Sequence, residues 1–258
     1  MPRGVTVALQ ILDLCVMVRI HARQPIDFFP MKLTYFGHSC FLVETADGHR
    51  LLFDPFITPN PLAAGVDLSA IRADAIFVSH GHADHLADAV VLAKQTGALL
   101  ISNFEIFEWF GKQGLEKLHP MNHGGARQFD FGRVKMVSAI HSSTMPDGSP
   151  GGNPAGFVVE VTDGAFYYSG DTALTMDMKL IGEEFALQFA VLPIGDNFTM
   201  GAADAAKAAG FVGASVVVGV HYDTFPPIVI DKEAARAAFG AAGCRLLLPA
   251  IGESVAIG

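Results

Sequence analysis

The chain has 258 residues, of which 51% are hydrophobic and 17% are charged, and its formal net charge is −9. This composition excludes a largely disordered protein and is sufficient for one large core or for two tightly joined halves. Because acidic residues outnumber basic ones, the chain as a whole lacks the excess positive charge that binds duplex nucleic acid. Net charge does not report a local basic patch. On the whole-chain charge we expect no nucleic-acid partner.

The first thirty residues differ from the rest of the sequence. The apolar segment VTVALQILDLCVMVRI (residues 5–20) carries Asp13 and is too short to span a bilayer, so we expect no stable membrane insertion. The internal acid and the lack of a clean small-residue cleavage site disfavour a signal peptide. We interpret residues 1–30 as an N-terminal extension from a start codon assigned too early, with a membrane-associating arm as the alternative, and residues 31–258 as the folded domain.

From Met31 onward, strands and helices follow one another along the chain. Short apolar or alternating runs bounded by turn residues predict strands at 32–36, 40–45, 50–54, 74–79, 98–102, 133–141, 155–162, 165–171, 189–196, 215–222, 244–249 and 254–258. Helical spacing and glycine stops predict helices at 85–97, 104–114, 178–187, 201–210 and 231–243. Strands that alternate with helices and hairpins favour sheets covered by helices on their outer faces.

The cysteines indicate the cellular compartment. The chain contains three cysteines, an odd number, and they are far apart and form no CxxC pair. They therefore predict neither a thiol zinc site nor a disulfide framework, and we expect a reducing, cytoplasmic location. Cys40 and Cys244 stand in apolar surroundings, where free cysteine is commonly a small buried hydrophobe.

Four apolar runs, far apart in sequence, each end on a side chain that can bind a metal ion. His80 follows AIFVS, His141 follows VKMVSAI, Asp171 follows FYYSG, and His221 follows VVVGV. Ligands of open sheets gather beyond the carboxyl ends of the strands. We therefore expect these four side chains to converge in the folded protein.

The stretch FVSHGHADHLAD (residues 77–88) adds three more candidate ligands. His80 and His82 are two residues apart, so an extended segment directs both imidazoles to one side of a turn. Asp84 and His85 stand at the start of the predicted helix and face a second position. Imidazole and carboxylate groups together suit zinc, iron, manganese or cobalt.

These residues predict a centre of two divalent metal ions, with zinc or manganese as the expected metals. Because a carboxylate has two oxygens, it can bridge two ions. The predicted ligands are His80, His82 and His141 at one ion, Asp84, His85 and His221 at the other, and Asp171 between them.

Several segments resemble a known family. SHGHADH (residues 79–85) resembles the HxHxDH signature of the metallo-β-lactamase superfamily, and His141, Asp171 in GDT, and His221 are similar to its later positions. MKLTYFGHSCFLVET, LLFDPFITPNP, LPIGDNFTMG and HYDTFPPI resemble metal-dependent hydrolases close to L-ascorbate-6-phosphate lactonase. The resemblance covers residues 31–258. It implies an α/β fold, a four-layer αββα sandwich of two mixed sheets with outer helices, together with a dinuclear metal site and hydrolase chemistry.

The expected activity is hydrolysis of a small-molecule substrate. Two bound cations lower the pKa of a bridging water and yield hydroxide near neutral pH, which attacks a carbonyl carbon or a phosphorus centre. Asp84 is a candidate proton acceptor as well as a ligand. We predict an ester or lactone substrate, phosphorylated or not. Phosphodiester cleavage by a nuclease-like or phospholipase-like enzyme and a non-catalytic metal sensor are the alternatives, and nothing in the sequence decides between a monomer and a homo-oligomer.

Five further residues are candidates for substrate contact or for support of the ligands. His38, in FGHSC, is predicted to contact substrate or to support a ligand histidine, with a hydrogen-bonded turn residue as the alternative. Asp54 ends a strand and is expected to fix the tautomer of a ligand histidine. His123, Asn197 and Tyr222 are weaker candidates from turns and strand ends. The 14-residue segment 142–155 follows a predicted ligand and is expected to overhang the site.

Overall fold

The computed structural model describes residues 31–257, so the interpretation of residues 1–30 lies outside the described residues. Two mixed sheets of seven strands form the centre of the fold. The first sheet contains, in spatial order, β14 (Ser254–Ile257), β1 (Met31–Gly37), β2 (Cys40–Glu44), β3 (Arg50–Phe53), β4 (Ala75–Phe77), β5 (Leu99–Asn103) and β6 (Leu118–Met121). The second contains β13 (Arg245–Leu247), β12 (Val216–Val220), β11 (Leu187–Pro193), β10 (Gly164–Tyr168), β9 (Ala155–Val161), β8 (Gly132–Ser138) and β7 (Ala126–Phe129).

Helices cover the outer face of each sheet. Those on the first sheet are α1 (Ala83–Leu86), α2 (Ala89–Thr96) and α3 (Phe104–Lys112), and those on the second are α4 (Met178–Glu184), α5 (Ala202–Val212) and α6 (Lys232–Ala241). The short 3₁₀ turns are Pro61–Ala63, Leu68–Ala70 and Pro226–Ile228. This order of helix, sheet, sheet and helix confirms the predicted four-layer αββα sandwich.

The inner faces of the two sheets meet in an aromatic core. The rings of Phe41 and Phe53, and of Phe53 and Phe77, stack with centroids 4.6 Å apart. Tyr168 from the second sheet meets Phe41 and Phe53 edge-on, and Phe157 does the same to Phe77. Each such side chain is fully buried and contributes about 1.5–3 kcal/mol of hydrophobic stabilisation. The core therefore fixes the two sheets against each other.

The parallel strands of each sheet determine where the candidate site lies. In the first sheet β3, β4, β5 and β6 run parallel, and in the second β10, β11, β12 and β13 run parallel. The carboxyl ends of parallel strands lie at one edge of a sheet, which is where ligands of open α/β sheets bind. Polar residues that directly follow these strands are therefore placed near one another.

The helix predicted over residues 85–97 is two helices, and the prediction was wrong on this point. Asp88 separates α1 from α2 because its carboxylate accepts hydrogen bonds from the backbone N–H groups of Ile57 (2.6 Å) and Thr58 (2.8 Å). Its own N–H donates to the carbonyl of Pro55 at 3.0 Å. The break thus ties the histidine-rich segment to the loop after β3. The C-terminal stop at Gly97 is present as predicted, with φ of 70°.

Two edge elements and one cysteine also differ from expectation. Strands β6 and β7 were not predicted, because β6 contains Pro120 and β7 is largely exposed, so neither forms an apolar run. Proline is tolerated in strands that stand at a sheet edge. Cys40 is buried as expected, whereas Cys244 is partly exposed at the end of α6.

Among residues 31–257, no helix has the length and hydropathy needed to cross a membrane.

Candidate metal centre

Asp171 lies at the centre of the predicted site. One oxygen, Oδ2, is 2.9 Å from His221 Nε2, 3.2 Å from His85 Nε2, 3.6 Å from His141 Nε2 and 3.9 Å from His80 Nε2. His221 follows β12 and His141 follows β8, whereas His80 and His85 both belong to the stretch after β4, so histidines from three separate segments meet at one carboxylate. The carboxylate is buried, and its other oxygen, Oδ1, has no hydrogen-bond partner among residues 31–257.

The surrounding side chains form three overlapping groups with the spacing of metal ligands. In each group, one ligand atom per residue lies within 4.8 Å of the others. The first group is His80, His82 and His141, the second is His38, Asp84, His85 and His221, and the third is Asp54, His80 and His85. The structure thus brings the seven predicted ligands together near Asp171, places His38 in the second group, and links the first two groups through Asp54.

Three residues at the site have backbone dihedral angles in the left-handed region. His38, Asp54 and His221 have φ values of 55°, 40° and 56°. Non-glycine residues in this region carry strain of about 1–3 kcal/mol each and persist only where the surroundings hold them. Here the His221 N–H donates to the His38 carbonyl at 2.8 Å, and the Tyr35 hydroxyl donates to the same carbonyl at 3.1 Å. The two segments therefore hold each other in the conformation that aims both imidazoles inward.

Asp54 holds the ligand histidines in position through hydrogen bonds. Its Oδ1 accepts from the Ser79 N–H (2.7 Å), and its Oδ2 accepts from Ser79 Oγ (2.5 Å) and from His85 Nδ1 (2.7 Å). Because Ser79 Oγ donates to Asp54, it accepts from His80 Nδ1 at 2.9 Å. These contacts favour, for both imidazoles, the neutral tautomer with its proton on Nδ1, in which Nε2 has a free lone pair. That is the protonation state required of a histidine that ligates a metal through Nε2.

His38 lies behind Asp84, away from solvent. Its Nε2 is 3.2 Å from Asp84 Oδ2, and its Nδ1 is 3.0 Å from Thr224 Oγ1. The His38 side chain is fully buried, whereas the Asp84 side chain is 28% exposed. Burial lowers the pKa of His38 to about 4, so the imidazole is neutral at neutral pH. Although burial opposes it, the hydrogen bond from His38 lowers the pKa of Asp84, which is a carboxylate there. Asp84 is therefore the acid that faces the open side of the site.

The chemistry of the donor set fits divalent cations. Burial lowers the pKa of His80 well below its usual value and lowers that of His141, which keeps both lone pairs available. Burial would raise the pKa of Asp171, but His221 and His85 lower it well below its usual value, so it is an anion. His85 Nε2 and Asp171 Oδ1 are buried without a hydrogen-bond partner among the described residues. Such atoms cost about 1–3 kcal/mol each when left unpaired, and a cation between them would satisfy both.

Specific contacts hold the loop at residues 142–155 against the neighbouring segments. Ser143 Oγ accepts from the Gly81 N–H at 3.0 Å, and Met145 is buried against Gly81. A Cβ at Gly81 would lie 2.7 Å from Met145 Sδ, so the residue between the two histidines must be small. At the far side, Asp147 accepts from Trp109 Nε1 at 2.7 Å. The loop therefore holds the His80–His82 segment in place, and it begins beside His82, whose Nε2 is 3.3 Å from Ser142 Oγ.

The sequence of this chain is similar to that of known proteins. The sequence profile described as "Beta-lactamase superfamily domain" matches residues 32–221. A "UPF0173 metal-dependent hydrolase" of Christiangramia forsetii is 50% identical over 226 residues, which cover 87% of this chain and 99% of that protein. The UPF0173 metal-dependent hydrolase YtkL of Bacillus subtilis is 48% identical over 209 residues, covering 79% and 91%. The chain belongs to the UPF0173 metal-dependent hydrolases of the metallo-β-lactamase superfamily.

Solved structures agree with this membership. The metallo hydrolase Igni18 of Ignicoccus hospitalis has a TM-score of 0.80 and 35% identity, covering 88% of this chain and 98% of that chain. The metallo-β-lactamase fold protein YhfI of Bacillus subtilis has a TM-score of 0.68 at 18% identity, with coverage of 88% and 98%. The second likeness concerns the fold alone. Together these findings confirm the family resemblance and the hydrolase class expected from the sequence.

Three of the weaker candidates lie apart from the centre of this UPF0173 protein. His123 Nε2 lies 2.9 Å from the carbonyl oxygen of Pro154, where it anchors the end of the 142–155 loop. Asn197 is exposed in the turn after β11, with φ of 53°, and lines a cleft of about 600 Å³. Tyr222 stacks on Tyr35 with centroids 6.3 Å apart. Among residues 31–257, His123 does not belong to a group with metal-ligand spacing.

Two residues that contact the centre were not identified from the sequence. Ser79 links Asp54 to His80, and Tyr168 donates its hydroxyl to Asp54 Oδ2 at 2.5 Å. Ser79 could have been found as the polar residue directly before the first ligand. Tyr168 gave no such signal, because it reads as the last apolar residue of a buried strand.

Proposed function

We propose that this chain hydrolyses a small carboxylic ester or lactone with the help of two divalent metal ions. The observation that carries the proposal is the Asp171 carboxylate, whose Oδ2 lies within 3.9 Å of four imidazole nitrogens from three separate segments. An isolated buried carboxylate is costly unless a positive charge or metal compensates it. Four imidazoles around one carboxylate form a ligand set suited to zinc or manganese.

Each group of side chains has a role in this proposal. His80, His82 and His141 hold one ion, and Asp84, His85 and His221 hold the other, with Asp171 shared between them. Bound divalent cations supply Lewis acidity and lower the pKa of coordinated water towards neutrality. Asp84, exposed to the cleft and kept ionised by His38, accepts a proton during the reaction. His38 is fully buried, so it orients Asp84 and does not touch the substrate.

The rim of the site favours an uncharged substrate with an apolar group. Ile140, Met176 and Phe198 are 56%, 63% and 53% exposed, although they are large apolar residues. Their segments meet at Thr172, which accepts from the Ile140 N–H at 2.9 Å and from the Met200 N–H at 3.0 Å. In the described part of the chain, no lysine or arginine forms an ion pair with a candidate ligand. Arginine and lysine commonly bind phosphate, and the exposed side chains named here are apolar, so we favour the unphosphorylated ester or lactone.

The test is a substrate panel on the full chain, before and after chelation and after addition of zinc or manganese. We expect neutral aryl esters and lactones to be hydrolysed with kcat/KM at least about tenfold above phosphorylated lactones, and chelation to remove this activity until metal returns. Preferential cleavage of bis-aryl phosphodiesters would replace the proposal by the phosphodiesterase alternative. Stable binding of two metals without hydrolysis of any member of the panel would favour the metal sensor.

A further inference from the structure

We propose that Tyr168 is a positioning residue that sets the affinity of the metal centre for the ion held by His85. It acts through Asp54, and its role rests on the proposed dinuclear site. The hydroxyl of Tyr168 donates to Asp54 Oδ2 at 2.5 Å, and the same oxygen accepts from His85 Nδ1 at 2.7 Å. The bond joins residues 114 positions apart, one at the end of a strand in each sheet.

The packing of Tyr168 fixes where its hydroxyl points. Its ring is fully buried between the sheets and meets Phe41 at 5.0 Å and Phe53 at 5.6 Å, edge-on in both cases. Burial and the Asp54 carboxylate raise the pKa of Tyr168 well above its usual value, so the phenol remains a hydrogen-bond donor. A rigid donor in a closed core thus approaches Asp54 from the opposite sheet.

Asp54 needs such a donor because its backbone does not lock the carboxylate by itself. The residue directly follows β3 and has φ of 40°, in the left-handed region. Its side chain is held by donors on two sides: Ser79 from the first sheet and Tyr168 from the second. Removal of the Tyr168 hydroxyl takes away the donor from the second sheet, so Oδ2 is held only by Ser79 Oγ and His85 Nδ1, and a shift of that oxygen moves His85.

A closed chain of contacts, here called the circuit, surrounds the second metal position. Tyr168 bonds Asp54, Asp54 bonds His85, and His85 Nε2 lies 3.2 Å from Asp171 Oδ2. Asp171 is three residues beyond Tyr168 on the same chain segment, so the circuit begins and ends at the tip of β10. Partners that orient a ligand histidine typically change metal affinity by about 10–100-fold when they are removed. Tyr168 is separated from His85 by one additional hydrogen bond, but its hydroxyl donates to the same Asp54 oxygen that accepts from His85 Nδ1.

The neighbouring residue provides a matched control. Tyr167 is also fully buried in β10, but its side chain packs in the outer core against the helices of the second sheet. Its hydroxyl has no hydrogen-bond partner among residues 31–257. Tyr167→Phe and Tyr168→Phe therefore remove the same atom from adjacent buried positions, and only the second touches the circuit.

The experiment measures stepwise metal binding to the metal-free full chain, with zinc and a competing chelating dye, for the wild type and both variants. We expect Tyr168→Phe to raise the dissociation constant of one ion about 10–100-fold and that of the other by less than about threefold. Tyr167→Phe is expected to change neither. The Tm of each metal-free variant, measured in parallel, reports purely structural effects.

The inference is overturned if Tyr168→Phe binds both ions as tightly as the wild type. It is also overturned if both affinities fall together and in proportion to a loss of Tm, because that pattern indicates a structural role. Should the phenylalanine variant fail to fold, Tyr168→Met lacks the same hydroxyl and gives the same readout. If the wild type binds two ions and hydrolyses nothing, the proposed function fails while the selective effect of Tyr168 remains measurable.

Discussion

Replacement of Asp171 with asparagine is expected to lower kcat/KM by about 10³-fold or more, because Lewis-acid stabilisation worth several kcal/mol is lost. Asparagine keeps the volume of the side chain but removes the negative charge that four imidazoles surround. Without that charge the two cations repel each other across the site. We expect the metal content of the purified protein to fall from two ions to one or none.

The measurement is hydrolysis of the best ester or lactone, together with metal analysis of the same samples. Asp163→Asn is the matched control, because Asp163 is a buried carboxylate at the opposite end of β10, where it accepts from the Ala46 N–H at 3.2 Å. The control should retain both metals and full turnover. An Asp171→Asn variant with two metals and unchanged kcat/KM would remove Asp171 from the centre.

Asp54→Asn is expected to reduce the free energy of unfolding by about 3 kcal/mol and to weaken metal binding as well. Both carboxylate oxygens of Asp54 accept hydrogen bonds in the buried interior. Whichever way an amide turns, its NH₂ group faces at least one donor, so buried N–H or O–H groups are left unpaired. His85 then loses the acceptor that directs its Nε2 at the centre, and Ser79, which contacts His80 Nδ1, loses its own acceptor.

Urea unfolding of the metal-free protein measures the first effect, and metal titration measures the second. Asp88→Asn separates them, because Asp88 is also buried and accepts two backbone hydrogen bonds, but it contacts no candidate ligand. We expect Asp88→Asn to lose stability while retaining metal affinity. Wild-type affinity in Asp54→Asn would show that the carboxylate does not orient the histidines.

The candidate ligands could be predicted because the sequence marks where strands end. An apolar run of five to seven residues defines a buried strand, and a histidine or aspartate directly after it falls at the edge where parallel strands finish. His80, Asp171 and His221 all satisfy this rule, and the structure brings them together. The division into two groups followed from the spacing within HGHADH, since alternate positions on an extended segment face one side.

The remaining parts of the site depend on contacts that local sequence does not encode. Tyr168 reaches Asp54 across the space between the sheets, and only the packing of two complete sheets determines that meeting. The break in the helix at Asp88 likewise depends on backbone groups 30 and 31 positions away. Asn197 and His123 carried polar atoms in suggestive positions, but Asn197 is exposed in a turn and His123 contacts the carbonyl oxygen of Pro154.

The central claim is that two metal ions share Asp171. Anomalous diffraction from crystals of the full chain, recorded on both sides of the absorption edge of the bound metal, tests it most directly. We predict two peaks per chain, about 3.5–4 Å apart, one beside His80, His82 and His141 and the other beside Asp84, His85 and His221. A single peak, or peaks remote from Asp171, would contradict the account.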